Sequence, residues 1–203
     1  MKTNIKWLGH ASFLFQGSKT IYSDPWDLKS DEPKGDVVLI THAHYDHCVP
    51  EDVKKIAKKD TVIIAPPDCE AKLSNIANFK PMRAGDKVQV AGIEIEAVPA
   101  YNSNKQFHPK GNGWLGYIFT LDGERIYQAG DTDLIPEMKN IHADVVLLPV
   151  GGTYTMTAKE SATAVEWIKP KVAIPMHWGK IVGTNEDAEE FKRLCGCEVK
   201  ILC

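Results

Sequence analysis

A chain of 203 residues with 43% hydrophobic and 25% charged residues is long enough to bury a core without disulfides and has the composition of a globular domain rather than a disordered or fibrous one. Its formal net charge of −3 provides no general attraction for nucleic acid or acidic membranes, so neither is an expected partner. The opening MKTNIKWLGHASF lacks the apolar stretch of a signal peptide, and no apolar run approaches a membrane span. Five cysteines, at 48, 69, 195, 197 and 203, show no framework spacing, so the expected location is a reducing cytoplasm. Cys195, Cys197 and Cys203 read as small hydrophobes at the end of a helix and a strand rather than as thiolate ligands.

Three β-rich segments come first, NIKWL, ASFLFQ and TIYSD, bounded by Gly17-Ser18 and Asp24-Pro25. DVVLI is a short continuous apolar run, which predicts a strand buried on both faces. Pro50 with Glu51-Asp52 marks a helix start, and EDVKKIAKK places Val53, Ile56 and Ala57 on one helical face. TVIIA is the next strand and PDCEAKLSNIA a second helix. The pattern then changes to hairpins: DKVQV and IEIEAV flank Ala91-Gly92, and WLGYIFTL and ERIYQA flank Asp122-Gly123. DVVLLPV and KVAIPM are further buried strands around the helix TAKESATAVEWIK, whose Ala158, Ala162, Val165 and Ile168 recur at helical spacing. NEDAEEFKRL is an amphipathic helix and EVKIL a last strand.

No linker or repeat interrupts this order, and each half runs from hairpin strands to buried strands alternating with helices. The expectation is one α/β domain over residues 1–203, with two mixed sheets packed face to face and helices outside.

Directly after DVVLI stands THAHYDH, which places His42, His44, Asp46 and His47 within six residues of a chain that has only seven histidines. Such a polar cluster does not help a core to pack. If the extended conformation persists past Ile40, His42 and His44 share a side, and Asp46 and His47 lie where the chain must turn before Pro50. Imidazole nitrogens and carboxylate oxygens are the ligands that Zn²⁺ takes at about 2.0–2.2 Å. Four of them this close together cannot comfortably serve one tetrahedral ion, so two ions are the natural reading. Further ligands are then sought at the ends of apolar strands: Asp131 after IYQAG, His177 after VAIPM, and Asn102 or His108 in VPAYNSNKQFHPKG.

THAHYDH, then GDTD, then PMHW resembles the metallo-β-lactamase superfamily of dinuclear hydrolases with its H-x-H-x-D-H signature. LGHASFLF and SDPW near the start make the chain similar to its lactonase-like branch, related to L-ascorbate-6-phosphate lactonase. The resemblance implies a four-layer αββα sandwich with the metal site at one edge of the sheets. It further implies that His42 and His44 hold one ion, that Asp46, His47 and His177 hold the other, and that Asp131 bridges them. Two zinc ions are implied, with manganese or iron as alternatives, and a water or hydroxide between them as the nucleophile. Family members usually place another histidine after the central hairpin, where this chain has Asn102. An amide is a poor zinc ligand, which favours His108, six residues on, with Asn102 as the alternative. His10 could approach the site, and Asp24 could accept the second N–H of a ligating imidazole.

The expected function is metal-dependent hydrolysis of an ester-type bond, a lactone or phosphodiester, in a small molecule. Asp46 would orient the nucleophile or relay a proton. A metal centre could attract an anionic substrate, although Lys105, Lys110 and Lys180 near the candidate loops read as solvated surface lysines. A non-catalytic metal-binding protein of the same fold is the alternative, kept open by Asn102. A di-iron redox protein is less well matched, because related proteins carry Glu where this chain has His44.

Overall fold

A computed structural model of the chain describes residues 2–203. One sheet has six strands in sequence order: β1 (Asn4–Gly9), β2 (Ser12–Gln16), β3 (Thr20–Ser23), β4 (Val37–Leu39), β5 (Val62–Ala65) and β6 (Asn78–Pro81). The pairs from β1 to β3 are antiparallel and those from β3 to β6 parallel. The second sheet has seven strands, from one edge to the other β7 (Lys87–Val90), β8 (Ile93–Pro99), β9 (Leu115–Leu121), β10 (Glu124–Gln128), β11 (Val145–Pro149), β12 (Val172–Met176) and β13 (Glu198–Val199). It repeats the plan, antiparallel from β7 to β10 and parallel from β10 to β13.

Alternation along the first sheet separates its two faces. Phe13, Phe15, Ile21, Val37, Leu39 and Ile64 join the large core between the sheets. Their neighbours Leu14, Tyr22, Val38 and Ile63 pack on the outer side with Val53 and Ile56 of helix α1 (Pro50–Ile56) and Leu73 of the short helix α2 (Glu70–Leu73). Every residue of β4 is buried because both of its faces are covered. Between the sheets, the ring of Phe15 meets that of Phe119 edge to face at 5.0 Å. Helices α3 (Ala158–Ile168) and α4 (Asn185–Leu194) cover the second sheet through β11 and β12. α3 begins with a Thr157–Glu160 capping box that satisfies its first amides. The four-layer αββα arrangement is therefore present. Among the described residues no helix is long and apolar enough to cross a membrane.

The local expectations need four corrections. α1 ends at Ile56 rather than running to Lys59, because its apolar face ends there and the Thr61 hydroxyl takes the Lys58 amide at 2.8 Å. PDCEAKLSNIA forms only a 3₁₀ turn over Pro67–Cys69 and the single turn of α2. The segment after it pairs with β5 as the edge strand β6, whose mostly exposed NFKP has no apolar alternation to signal it. EVKIL pairs over Glu198–Val199 alone. Of the C-terminal cysteines, Cys195 and Cys197 pack against the core, whereas Cys203 is exposed.

Candidate metal centre

β4 stops at Leu39, so strand alternation does not align His42 with His44 as expected. The chain turns instead, with the amides of His47 and Cys48 both donating to the His44 carbonyl, at 3.2 and 2.9 Å. This turn brings His42 Nε2 and His44 Nδ1 to 3.0 Å, and directs Asp46 and His47 to the other side of the cluster. The remaining members arrive from the ends of other strands: His10 from the β1–β2 turn, Asp24 after β3, His108 from the β8–β9 loop, Asp131 after β10 and His177 after β12.

Backbone conformation is specialised at several of these points. His10, Asp24 and His177 all have positive φ, at 53°, 44° and 59°, a strained setting for residues with a Cβ that tends to occur at functional sites. Gly130 also has positive φ, and a Cβ there would stand 2.7 Å from the Leu115 carbonyl oxygen and 3.1 Å from Thr41. Only glycine lets the β10 end come close enough to set Asp131 beside the THAHYDH turn.

Three side-chain relays fix the imidazoles. Thr41 Oγ1 donates to Asp24 Oδ2 at 2.7 Å, so it can only accept from His42 Nδ1, 2.9 Å away. His47 Nδ1 donates to the same Asp24 oxygen at 2.9 Å. Asn102 spends its Nδ2 on Asp133 Oδ1 at 3.0 Å and the Tyr154 carbonyl at 2.9 Å. Its Oδ1 therefore accepts, taking the His108 amide at 2.8 Å and His108 Nδ1 at 3.2 Å. In all three cases the Nδ1 hydrogen is tied down and Nε2 is turned to the cluster.

Two of those inward nitrogens and one carboxylate oxygen beside them lack partners: His47 Nε2, His108 Nε2 and Asp131 Oδ1 are buried without a hydrogen bond. His47 Nε2 lies 3.6 Å from both Asp46 Oδ2 and Asp131 Oδ1, and Asp131 Oδ2 lies 2.9 Å from His177 Nε2 and 3.2 Å from His108 Nε2. Ligands about 2.0–2.2 Å from one ion stand about 3.3–3.6 Å apart in a tetrahedron, so the two separations of 3.6 Å around His47 Nε2 suit a shared cation better than a direct bond. Three groups offer such atoms within 4.8 Å of one another: His42, His44 and His108; His42, His47 and Asp131; and His10, Asp46, His47 and His177. Buried, unpaired nitrogen and carboxylate donors are the donor set of a zinc-type centre, and the residues present fit one.

Electrostatics divide the cluster. Burial, with the charge on His47, pushes His42 well below the usual histidine value, and burial also lowers His44 and His10. Burial alone would lower His47 too, but Asp131, Asp24 and Asp46 outweigh it and push it up to about 10. Burial would raise Asp131, yet the imidazoles of His177 and His47 hold it well below the usual carboxylate range. Asp46 is lowered despite burial because His10 Nε2 bonds its Oδ2 at 3.1 Å and His47 lies close.

The expected residues His10, Asp24, His42, His44, Asp46, His47, His108, Asp131 and His177 all come together here. Asn102 does not face the cluster; it braces His108. Sequence reasoning missed Thr41, Asp133 and Trp114. Asp133, the second acid of GDTD, accepts the amides of Ser103 and Asn104 at 2.8 and 3.3 Å as well as Asn102, and so pins the loop that carries His108. Trp114 packs against His42 and His44 with ring centres 4.9 and 4.7 Å away, while its indole N–H donates to Asp68 at 2.7 Å. Lys105, Lys110 and Lys180 bond Asp133, Glu137 and Asp27 respectively.

The αββα sandwich with this histidine–aspartate cluster at the strand ends defines a protein of the metallo-β-lactamase superfamily. The beta-lactamase superfamily domain matches residues 4–177. A UPF0173 metal-dependent hydrolase of Thermococcus kodakarensis is 37% identical over 220 residues, covering 98% of this chain and 94% of the relative. A crystal structure from Parabacteroides distasonis superposes with a TM-score of 0.88 at 36% identity, covering 98% and 92% of the two chains. Igni18, a metallo hydrolase from the hyperthermophilic archaeon Ignicoccus hospitalis, superposes with a TM-score of 0.80 at 26% identity, covering 98% and 94%. The chain belongs to the UPF0173 metal-dependent hydrolase family.

Proposed function

We propose that the protein hydrolyses an ester-type bond, such as that of a lactone or a phosphodiester, in a small molecule, using a pair of metal ions with zinc as the first candidate. The observation that carries this reading is the set of buried, unpaired atoms His47 Nε2, His108 Nε2 and Asp131 Oδ1 in the cluster, backed by relays that fix the His42, His47 and His108 rings. His42, His44 and His108 would hold one ion, Asp46, His47 and His177 the other, and Asp131 would reach both.

When bound, such a pair supplies Lewis-acid polarisation of the bond under attack and a water acidified towards neutral pH. The chain's own residues supply the rest. Asp46, ionised at neutral pH, accepts the N–H of His10 at Oδ2 and so faces the cleft in a fixed orientation, from which it can position a water and take up its proton. Trp114 walls off one side of the imidazoles and excludes solvent from them. The alternative of a non-catalytic protein rested on Asn102, and the bracing of His108 by that residue supports the catalytic reading over it.

The test is turnover of a panel of lactones and phosphodiesters by zinc-loaded and chelator-stripped protein. Activity that disappears on chelation, returns with zinc, and falls by about 10²–10⁴-fold in Asp46→Asn is the expected outcome. Activity that survives complete metal removal would contradict the reading.

A further inference from the structure

Above the cluster opens a cleft of about 230 Å³, smaller than the roughly 300–1,000 Å³ of sites for drug-sized ligands. Its floor is made of the cluster residues, and its rim of Tyr45, Phe107, Tyr154 and Ile181. Tyr45, Phe107 and Ile181 are 70%, 47% and 49% exposed. Among the described residues the one other large hydrophobic side chain this exposed is Leu194, at the end of α4. Exposed apolar side chains scattered singly need no explanation, but three gathered on one small mouth do.

The rim is built rather than incidental. Phe107 and Tyr154 meet edge to face, with ring centres 4.6 Å apart and planes at 90°. Ile181 sits at the tip of a tight turn in which the Val182 amide donates to the Lys180 carbonyl at 2.5 Å. Its φ of 61° is a left-handed conformation that β-branched residues strongly disfavour. A glycine or asparagine would relieve this strain. Keeping an isoleucine there holds an apolar group over the cleft at a cost in backbone conformation, as strained residues at ligand-binding sites do.

Beyond the metal centre proposed at its floor, the cleft offers an anion no cationic side chain on its walls: among the described residues no lysine or arginine lines it. The nearby cations are committed elsewhere: Lys105 to Asp133, Lys110 to Glu137 and the face of Tyr101, and Lys180 to Asp27 and the face of Trp26.

We infer that the cleft selects a neutral acyl ester or lactone bearing an alkyl or aryl group beside the bond to be cut, and that Ile181 sets this preference. The apolar group would rest between Tyr45, Phe107, Tyr154 and Ile181 while the acyl carbon lies over Asp46. This rests on the hydrolase reading above and narrows it. In the reaction the oxygen of water bonds to the acyl carbon, the carbon–alkoxy bond breaks, and a proton from the water ends on the departing alcohol oxygen.

The experiment uses metal-loaded protein and two readouts. The first is binding of the neutral fluorophore N-phenyl-1-naphthylamine to the wild type, Phe107→Ala and Ile181→Gly, with metal content measured alongside. The glycine variant suits the backbone conformation and should fold. The second is kcat/KM on 4-nitrophenyl acetate, butyrate and hexanoate against bis(4-nitrophenyl) phosphate. We expect the fluorophore to bind the wild type and to lose at least fivefold in affinity in Ile181→Gly at unchanged metal content. Ester turnover should rise by about threefold per added methylene, and that slope should flatten in the variant.

Absence of fluorophore binding, or binding indifferent to Ile181 and Phe107, would overturn the inference. So would a preference for the phosphodiester with no dependence on ester chain length, which would leave the hydrolase reading intact. Fluorophore binding lost in Ile181→Gly, by a protein that takes up metal yet cleaves neither class, would sustain the cleft's selectivity and overturn the hydrolase reading instead. A wild-type dimer dissociated by Ile181→Lys would overturn the inference by making the rim an interface between copies.

Discussion

His47 shows how much chemistry one side chain can collect here. Its Nδ1 is held by Asp24, its Nε2 faces Asp46 and Asp131, and these three carboxylates push it up to about 10. At neutral pH and without metal, the imidazole therefore carries a proton on the atom that a cation would need. His42 and His44 are lowered and compete for no proton at that pH. Uptake of metal should displace about one proton, so its affinity should rise about tenfold per pH unit from pH 7 to 9. The sign for folding is opposite. A histidine raised above its ordinary value stabilises the metal-free protein below about pH 6.5, and that contribution is lost as pH climbs towards 10. Asp24→Asn removes one of the charges that raise His47, so the rise in affinity should level off at a lower pH. Zinc titrations of the wild type and this variant at several pH values measure it; an affinity independent of pH would show that His47 does not give up a proton.

At the scale of elements, the site depends on strand ends packed in close backbone contact. The β9–β10 hairpin sets Asp131 in place only because Gly130 adopts positive φ against the Leu115 carbonyl. Gly130→Ala adds a methyl group with nowhere to go, and should destabilise the fold by about 2–4 kcal/mol while loosening Asp131. Thermal unfolding of that variant tests this; an unchanged Tm would mean that the hairpin end relaxes freely. The same scale explains what could be read from the sequence. THAHYDH was legible because its four ligand-type residues fall within six positions, and Asp131 and His177 because each follows an apolar strand. The strand β6 was not, since NFKP at a sheet edge has no buried face to pattern it. Nor were Thr41, Asp133 and Trp114, whose roles arise from partners such as Asp24, Asn102 and Asp68 that lie far away in the chain. His108 was legible only as a candidate among loop residues, because what turns it inward is the hydrogen bonding of Asn102.

At the scale of the whole molecule, two sheets of like plan pack face to face, and the cluster is stitched across the boundary between them at their strand ends. The His177 amide donates to the His10 carbonyl at 2.9 Å, and the Tyr117 hydroxyl donates to the Ile40 carbonyl at 2.8 Å. Each half contributes ligand-type residues, the first His42, His44, Asp46 and His47, the second His108, Asp131 and His177. Neither half holds a complete set, so the two-ion reading requires the folded sandwich and gives His108 a decisive part. Metal content per chain, on protein purified without chelator and loaded with zinc, tests this most directly in the wild type and in His108→Ala. The account predicts close to two equivalents in the wild type and close to one in the variant. One equivalent or less in the wild type, unchanged by His108→Ala, would contradict it.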